Sequence, residues 1–115
     1  MPALTSGEIL SAIARILICE DRAITFLCTE DEIRIRFPKT RRLAEYLSVP
    51  HYYVIPFIAA MEEDGLVTRT ERVGVSTTAR GTSVLFSRIL TDYPRETEQI
   101  LGPDLLRAIR ARALD

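Results

Sequence analysis

The 115-residue chain has no tryptophan and no asparagine, one histidine (His51), one lysine (Lys39) and two cysteines (Cys19 and Cys28). These shortages remove several function classes at once. Two cysteines and one histidine do not make a zinc-ligand set, and Cys19 and Cys28 lack the spacing of a CxxC redox pair. His51 stands beside Pro50 and two tyrosines, with no serine or cysteine at a spacing that would pair a nucleophile with a base. The glycines are scattered at Gly7, Gly65, Gly74, Gly81 and Gly102, which leaves no glycine-rich loop to cradle a phosphate. The expectation is therefore a protein that is not an enzyme and holds no metal and no cofactor.

Long hydrophobic runs are missing too. Arg15, Glu20, Asp21 and Arg22 interrupt the apolar stretches well before the roughly 20 residues that a membrane-spanning helix requires. From Met1 to Glu8 no basic segment precedes an apolar one, so no secretory leader is expected and the chain is read as cytoplasmic. In that reducing compartment Cys19 and Cys28, set among apolar neighbours, are expected to be buried free thiols.

What is present describes one folded domain. Hydrophobic residues make up 47% and charged residues 27%, close to the averages of globular chains, which excludes wholesale disorder. With 15 Lys and Arg against 16 Asp and Glu the net charge is −1, so total charge does not mark a nucleic-acid binder and the position of the cations must decide. All but one of those cations are arginine, whose fork matches phosphate and carboxylate geometry.

Thr5 and Glu8 have capping-box spacing, and Ile9, Leu10, Ile13, Ile16 and Leu17 recur at helical intervals until about Cys19. Ala23 to Cys28 and Ile33 to Phe37 read as two strands reversed at Thr29-Glu30-Asp31. Thr40 is the expected N-cap of a short helix through Leu43, Ala44 and Leu47, closed by Pro50. A second helix carries Val54, Ile58 and Met61 and stops at Gly65, followed by a looser hairpin around Gly74. Thr77 or Thr78 caps a helix that runs to Tyr93-Pro94, and Ile100 to Ala113 is amphipathic, with a break at Gly102-Pro103. The fold class is α+β.

The run Leu43-Ala44-Glu45-Tyr46-Leu47-Ser48-Val49, then Val54, Ile58 and Met61-Glu62-Glu63-Asp64-Gly65-Leu66-Val67, resembles the winged helix-turn-helix family of DNA-binding domains. Ser76-Thr77-Thr78-Ala79-Arg80-Gly81 is similar to the segment that follows the wing in small bacterial and archaeal regulators. The resemblance spans about residues 40 to 90. It implies a single domain, 1–115, with a helix-turn-helix core at about 40–67, a wing at about 67–77 and further helices at about 78–115, preceded by an extra N-terminal β-hairpin. It also implies a recognition helix from about Tyr52 to Asp64 and a role in double-stranded DNA binding and transcription regulation. Iron–sulfur regulators similar over this stretch carry a cysteine cluster after the helix, and none stands here.

Five cations, Arg34, Arg36, Lys39, Arg41 and Arg42, occupy a segment without an acid, and Arg69 and Arg72 lie in the wing. These are the expected phosphate contacts, with Arg80 as an extension of the strip. His51, Tyr52, Tyr53 and Ile55 would meet the groove of the duplex, although none is a side chain suited to bidentate base contacts. Pro56 is harmless only in a first helical turn, so the recognition helix is expected to begin late, near Tyr53. Tyr52, Ile55, Pro56 and Phe57 suit a protein partner as well, which leaves a protein-interaction module as the alternative. The terminal helices are read as a homodimer interface, with folding of the last stripe back onto the first helix as the other possibility.

Overall fold

A threonine opens the first helix. Thr5 Oγ1 accepts the Glu8 N–H at 3.1 Å and starts α1, Ser6–Arg15, as the capping-box spacing predicts. The computed structural model describes residues 4–114 of the chain; Met1, Pro2 and Ala3, part of the stretch on which the leader reading rests, lie outside them. After α1 come β1 (Phe26–Cys28), β2 (Ile33–Ile35), α2 (Thr40–Leu47), α3 (His51–Glu63), β3 (Val67–Thr70), β4 (Gly74–Thr77), α4 (Ala79–Asp92), α5 (Pro94–Leu101) and α6 (Pro103–Leu114). The described residues are thus an α+β fold of six α-helices and two antiparallel two-stranded sheets.

The core is organised on α1. Ile9 and Ile13 on α1, and Ile16 just beyond it, are fully shielded from solvent, and α1 packs against α2, α3 and α4. Leu43, Val54, Ile58, Met61, Leu85, Phe86 and Ile89 close the same core. Past Arg15 the chain widens into a π-helical turn, Ile16–Asp21, that ends on Arg22 in the left-handed region (φ 53°). Its larger number of residues per turn keeps Ile16, Leu17 and Ile18 inward and leaves Cys19 outside. Cys28, at the end of β1, is exposed as well, so neither cysteine is the buried thiol expected from its neighbours.

The two hairpins have the registers Phe26↔Ile35 and Val67↔Thr77, and the chain turns between β1 and β2 at Thr29 to Glu32. A buried chain of hydroxyls joins them. The Ile35 N–H donates to Thr77 Oγ1 at 2.7 Å, and Thr77 Oγ1 lies 2.6 Å from Thr82 Oγ1. The Thr82 hydroxyl has two carbonyl acceptors in reach, Ile33 at 2.6 Å and Thr78 at 2.9 Å, so its single proton goes to a carbonyl and the Thr77 hydroxyl donates the middle link. β2, β4 and α4 are held together by this chain. The Arg36–Ser76 bridge and the Phe37 N–H donating to the Val75 carbonyl at 2.9 Å continue the contact past β2.

α2 and α3 are joined by Ser48, Val49 and Pro50. Ser48 adopts φ 56°, and Pro50 takes the N-cap position of α3. α3 begins at His51, not near Tyr53, which puts Pro56 at its sixth position, where the Tyr52 carbonyl loses its helical donor. Lys39 is the N-cap of α2 and makes no side-chain cap bond; Thr40, the expected cap, sits one residue inside. α3 ends in a Schellman arrangement, with Gly65 at φ 76° and the Leu66 N–H donating to the Met61 carbonyl at 2.9 Å. The start of α4 docks here. Thr78 caps α4, its hydroxyl donates to the Gly65 carbonyl at 2.6 Å, and its N–H donates to the Leu66 carbonyl at 3.0 Å.

α6 folds back onto α4 and α5, not onto α1. Ile109 and Ala113 are buried, Leu101 and Leu106 half-buried, and Arg112 donates to the Thr29 carbonyl at 2.6 Å, so most of the terminal stripe is satisfied within one chain. Leu105 remains 48% exposed. Among the described residues no helix is long and apolar enough to cross a membrane.

Two substitutions test this frame by chemical denaturation. A Cβ on Gly81 would stand 1.8 Å from the Leu66 carbonyl oxygen, so Gly81→Ala is expected to lose about 3 kcal/mol or more. Thr77→Val strands the Ile35 N–H and is expected to cost about 1–3 kcal/mol.

Candidate nucleic-acid interface

The segment between β2 and α2 carries the site. Because Phe37 is buried and bonded to Val75, residues 36–39 lie along β4, and the side chains of Arg36 and Lys39 emerge to solvent next to the β3–β4 turn. That turn, Glu71 to Val73, closes on Gly74 at φ 83°, a backbone conformation glycine adopts without strain. α2 then presents Arg41 from its first turn, and α3 presents His51, whose Nε2 is hydrogen-bonded to Thr40 Oγ1 at 2.8 Å. Together these residues line a groove of about 410 Å³ whose walls include Arg36, Lys39, Arg41, His51, Glu71 and Arg72. It opens between the helix pair and the second hairpin.

Ion pairing divides the expected cations into two sets. Arg34 is held by Glu32 at 2.5 Å, and Arg69 by Glu62 at 3.2 Å. Arg42 is bound by Asp21 at 2.5 Å and by Glu20 at 3.6 Å; its hydrogen bond to Asp21 raises its pKa above the ordinary arginine value. These three arginines bind the chain to itself: Arg42 ties α2 to the π turn. Arg80 lies outside the groove lining and donates to the Asp64 carbonyl at 2.9 Å at the end of α3. Arg36, Lys39, Arg41 and Arg72 make no ion pair among the described residues. The groove lining holds these four cations against the single carboxylate of Glu71, which makes it a region of positive potential.

The face of α3 toward solvent is aromatic and uncharged at its start. Tyr52 is 70% and Tyr53 44% exposed, and their rings stack with centroids 5.2 Å apart and planes at 26°. Ile55 is half-buried and Pro56 exposed. Phe57 is half-buried, like Ile55, and packs against the core. No lysine or arginine occurs between His51 and Glu63.

Of the residues expected from the sequence, Arg36, Lys39, Arg41, His51 and Arg72 therefore converge, while Arg34, Arg42 and Arg69 are engaged in ion pairs. Glu71 and the Thr40 hydroxyl were missed. Glu71 had a visible signal in its place next to Arg72 in a tight turn, but nothing in the sequence said that this turn faces α2. Among the described residues no three metal-ligating side chains converge. Comparisons of the chain with protein-family models, with curated proteins and with solved structures found no match.

The division of the cations can be read on immobilised heparin, a polyanion without base sequence. Arg41→Ala is expected to elute at lower salt than the unaltered chain and Arg42→Ala to shift less, since the Arg42 guanidinium faces Asp21 and Glu20 rather than the groove.

Proposed function

We propose that the chain is a winged helix-turn-helix protein that binds double-stranded DNA as a transcriptional regulator. In this reading α2 and α3 are the helix-turn-helix, α3 lies in the major groove, and the β3–β4 hairpin is the wing. Arg36, Lys39, Arg41 and Arg72 hold phosphates. Tyr52 and Tyr53 meet the groove wall, where hydroxyls bond phosphates and rings touch thymine methyls, so sequence preference is modest and leans on shape. The observation that carries the reading is the groove between the helix pair and the hairpin, lined by four cations without ion-pair partners among the described residues.

The test is titration of a fluorescein-labelled mixed-sequence duplex, read by anisotropy at several salt concentrations. Each neutralised phosphate contributes about −0.9 to the slope of log affinity against log salt, so four contacts give about −3.6. Combining Arg41→Ala with Arg72→Ala lowers the magnitude of that slope by about 2. Absence of binding at low salt would remove DNA as the partner.

The exposed Tyr52–Tyr53 stack on a helix without cations favours a second reading, a winged-helix module that docks a protein. There Tyr52→Ala abolishes capture of the partner and leaves DNA affinity unchanged. A homodimer belongs to the DNA reading, because two copies place two recognition helices on half-sites about one helical turn apart. The contact would use what α6 leaves uncovered, Leu105 and Leu114. Light scattering should then return twice the chain mass, and Leu105→Glu should return the chain mass.

A further inference from the structure

A second cavity, of about 550 Å³, lies where the first turns of α1, the end of α2 and α4 meet. Its walls include Glu8, Ser11, Arg15, Tyr46, Arg88 and Tyr93. Arg88 is half-buried, and its guanidinium donates to Ser11 Oγ at 2.7 Å, which sets its orientation across the cavity. Arg15 enters from the last turn of α1. Among the described residues neither arginine forms an ion pair, and Glu8, the one carboxylate in the lining, reaches neither within ion-pair distance. The two phenols supply the rest of the chemistry. Tyr93 is half-buried, and desolvation raises its phenol above its ordinary pKa.

Two guanidiniums that lie outside ion-pair distance of Glu8 and, among the described residues, of any other carboxylate, placed next to two aromatic rings in one indentation, have an unmatched preference for a planar anion. Arginine forks grip a carboxylate through two parallel hydrogen bonds, and aromatic walls cover a flat apolar body. The indentation is shallow and open to solvent, and wide enough for one small ring. We infer that this cavity binds a small aromatic carboxylate, with the carboxylate on Arg15 and Arg88 and the ring against Tyr46 and Tyr93. The inference does not depend on DNA binding, since none of these residues lines the cationic groove.

The probe is sodium benzoate, titrated into the isotope-labelled full chain and followed through backbone amide shifts. The site predicts saturable shifts at Ser11, Arg15, Tyr46 and Arg88 in the millimolar range or below, and none with benzylammonium. Arg15→Gln, an exposed position whose loss leaves the fold intact, weakens binding about tenfold or more; Arg88→Gln does the same, and Tyr93→Phe weakens it less. Arg95→Ala, an exposed arginine outside the lining, keeps the original affinity. Three results would overturn the assignment: no saturation with benzoate, unchanged affinity in Arg15→Gln with a well-dispersed spectrum, or the same shifts at the same concentrations from inorganic phosphate.

Discussion

Two buried hydroxyls determine where both hairpins lie. Thr77 and Thr82 have one proton each, and the backbone groups around them need one acceptor, for the Ile35 N–H, and one donor, for the Ile33 carbonyl. The Thr82 hydroxyl also reaches the Thr78 carbonyl locally, but the Ile35 N–H and the Ile33 carbonyl meet these hydroxyls only when β2, β4 and α4 are in contact, and a buried polar group without a partner is costly. Once β4 is set, its Val75 carbonyl holds Phe37, which lays the Arg36 to Lys39 segment along the second hairpin. The close approach of Leu66 to Gly81 fixes the other end, bringing the end of α3 onto the start of α4. The cationic groove is the space left between these two constraints.

Electrostatics then sorts the cations. Those beside an acid on the same or a facing element are neutralised: Arg34 by Glu32 two residues away, Arg69 by Glu62 across the end of α3, Arg42 by the acids of the π turn. Those around the groove meet, among the described residues, no acid in its lining except Glu71 and keep their charge available. Exposed pairs of this kind contribute little to stability, so their main consequence is to decide which arginines can meet a ligand. α2 connects both cavities, with Thr40 and Arg41 at the groove and Tyr46 at the second pocket.

Much of the fold was legible in the sequence because it depends on local chemistry. Thr5 was readable as a cap, Thr78 as one of two candidates with Thr77, Gly65 as a helix stop, Pro94 as the end of one helix and Gly102-Pro103 as a break, since each meets the needs of backbone groups within a few residues; that Pro94 also opens α5 was not read. The failures have one cause as well. Thr40 lost the cap position to Lys39 when its hydroxyl found His51, Pro56 was carried into a helix that starts at His51, and Cys19 turned outward on a π turn that no hydrophobic period announces. In each of these a partner or a change of pitch from outside the local pattern prevailed.

For the candidate site the same division holds. The sequence by itself determined that this is one small α+β domain, that a cation-rich segment precedes a helix pair and a hairpin, and that the second helix of the pair carries two tyrosines and no cation; these follow from composition and periodicity, which act along the chain. Only the tertiary structure decided that Arg36, Lys39, Arg41, His51 and Arg72 share a groove, that Arg34, Arg42 and Arg69 are spent on internal pairs, and that Arg15 and Arg88 face two tyrosines in a second cavity. Residues as far apart as Arg36 and Arg72, or Ser11 and Arg88, meet only after the core on α1 and the threonine chain have placed their elements, and no local pattern records that meeting.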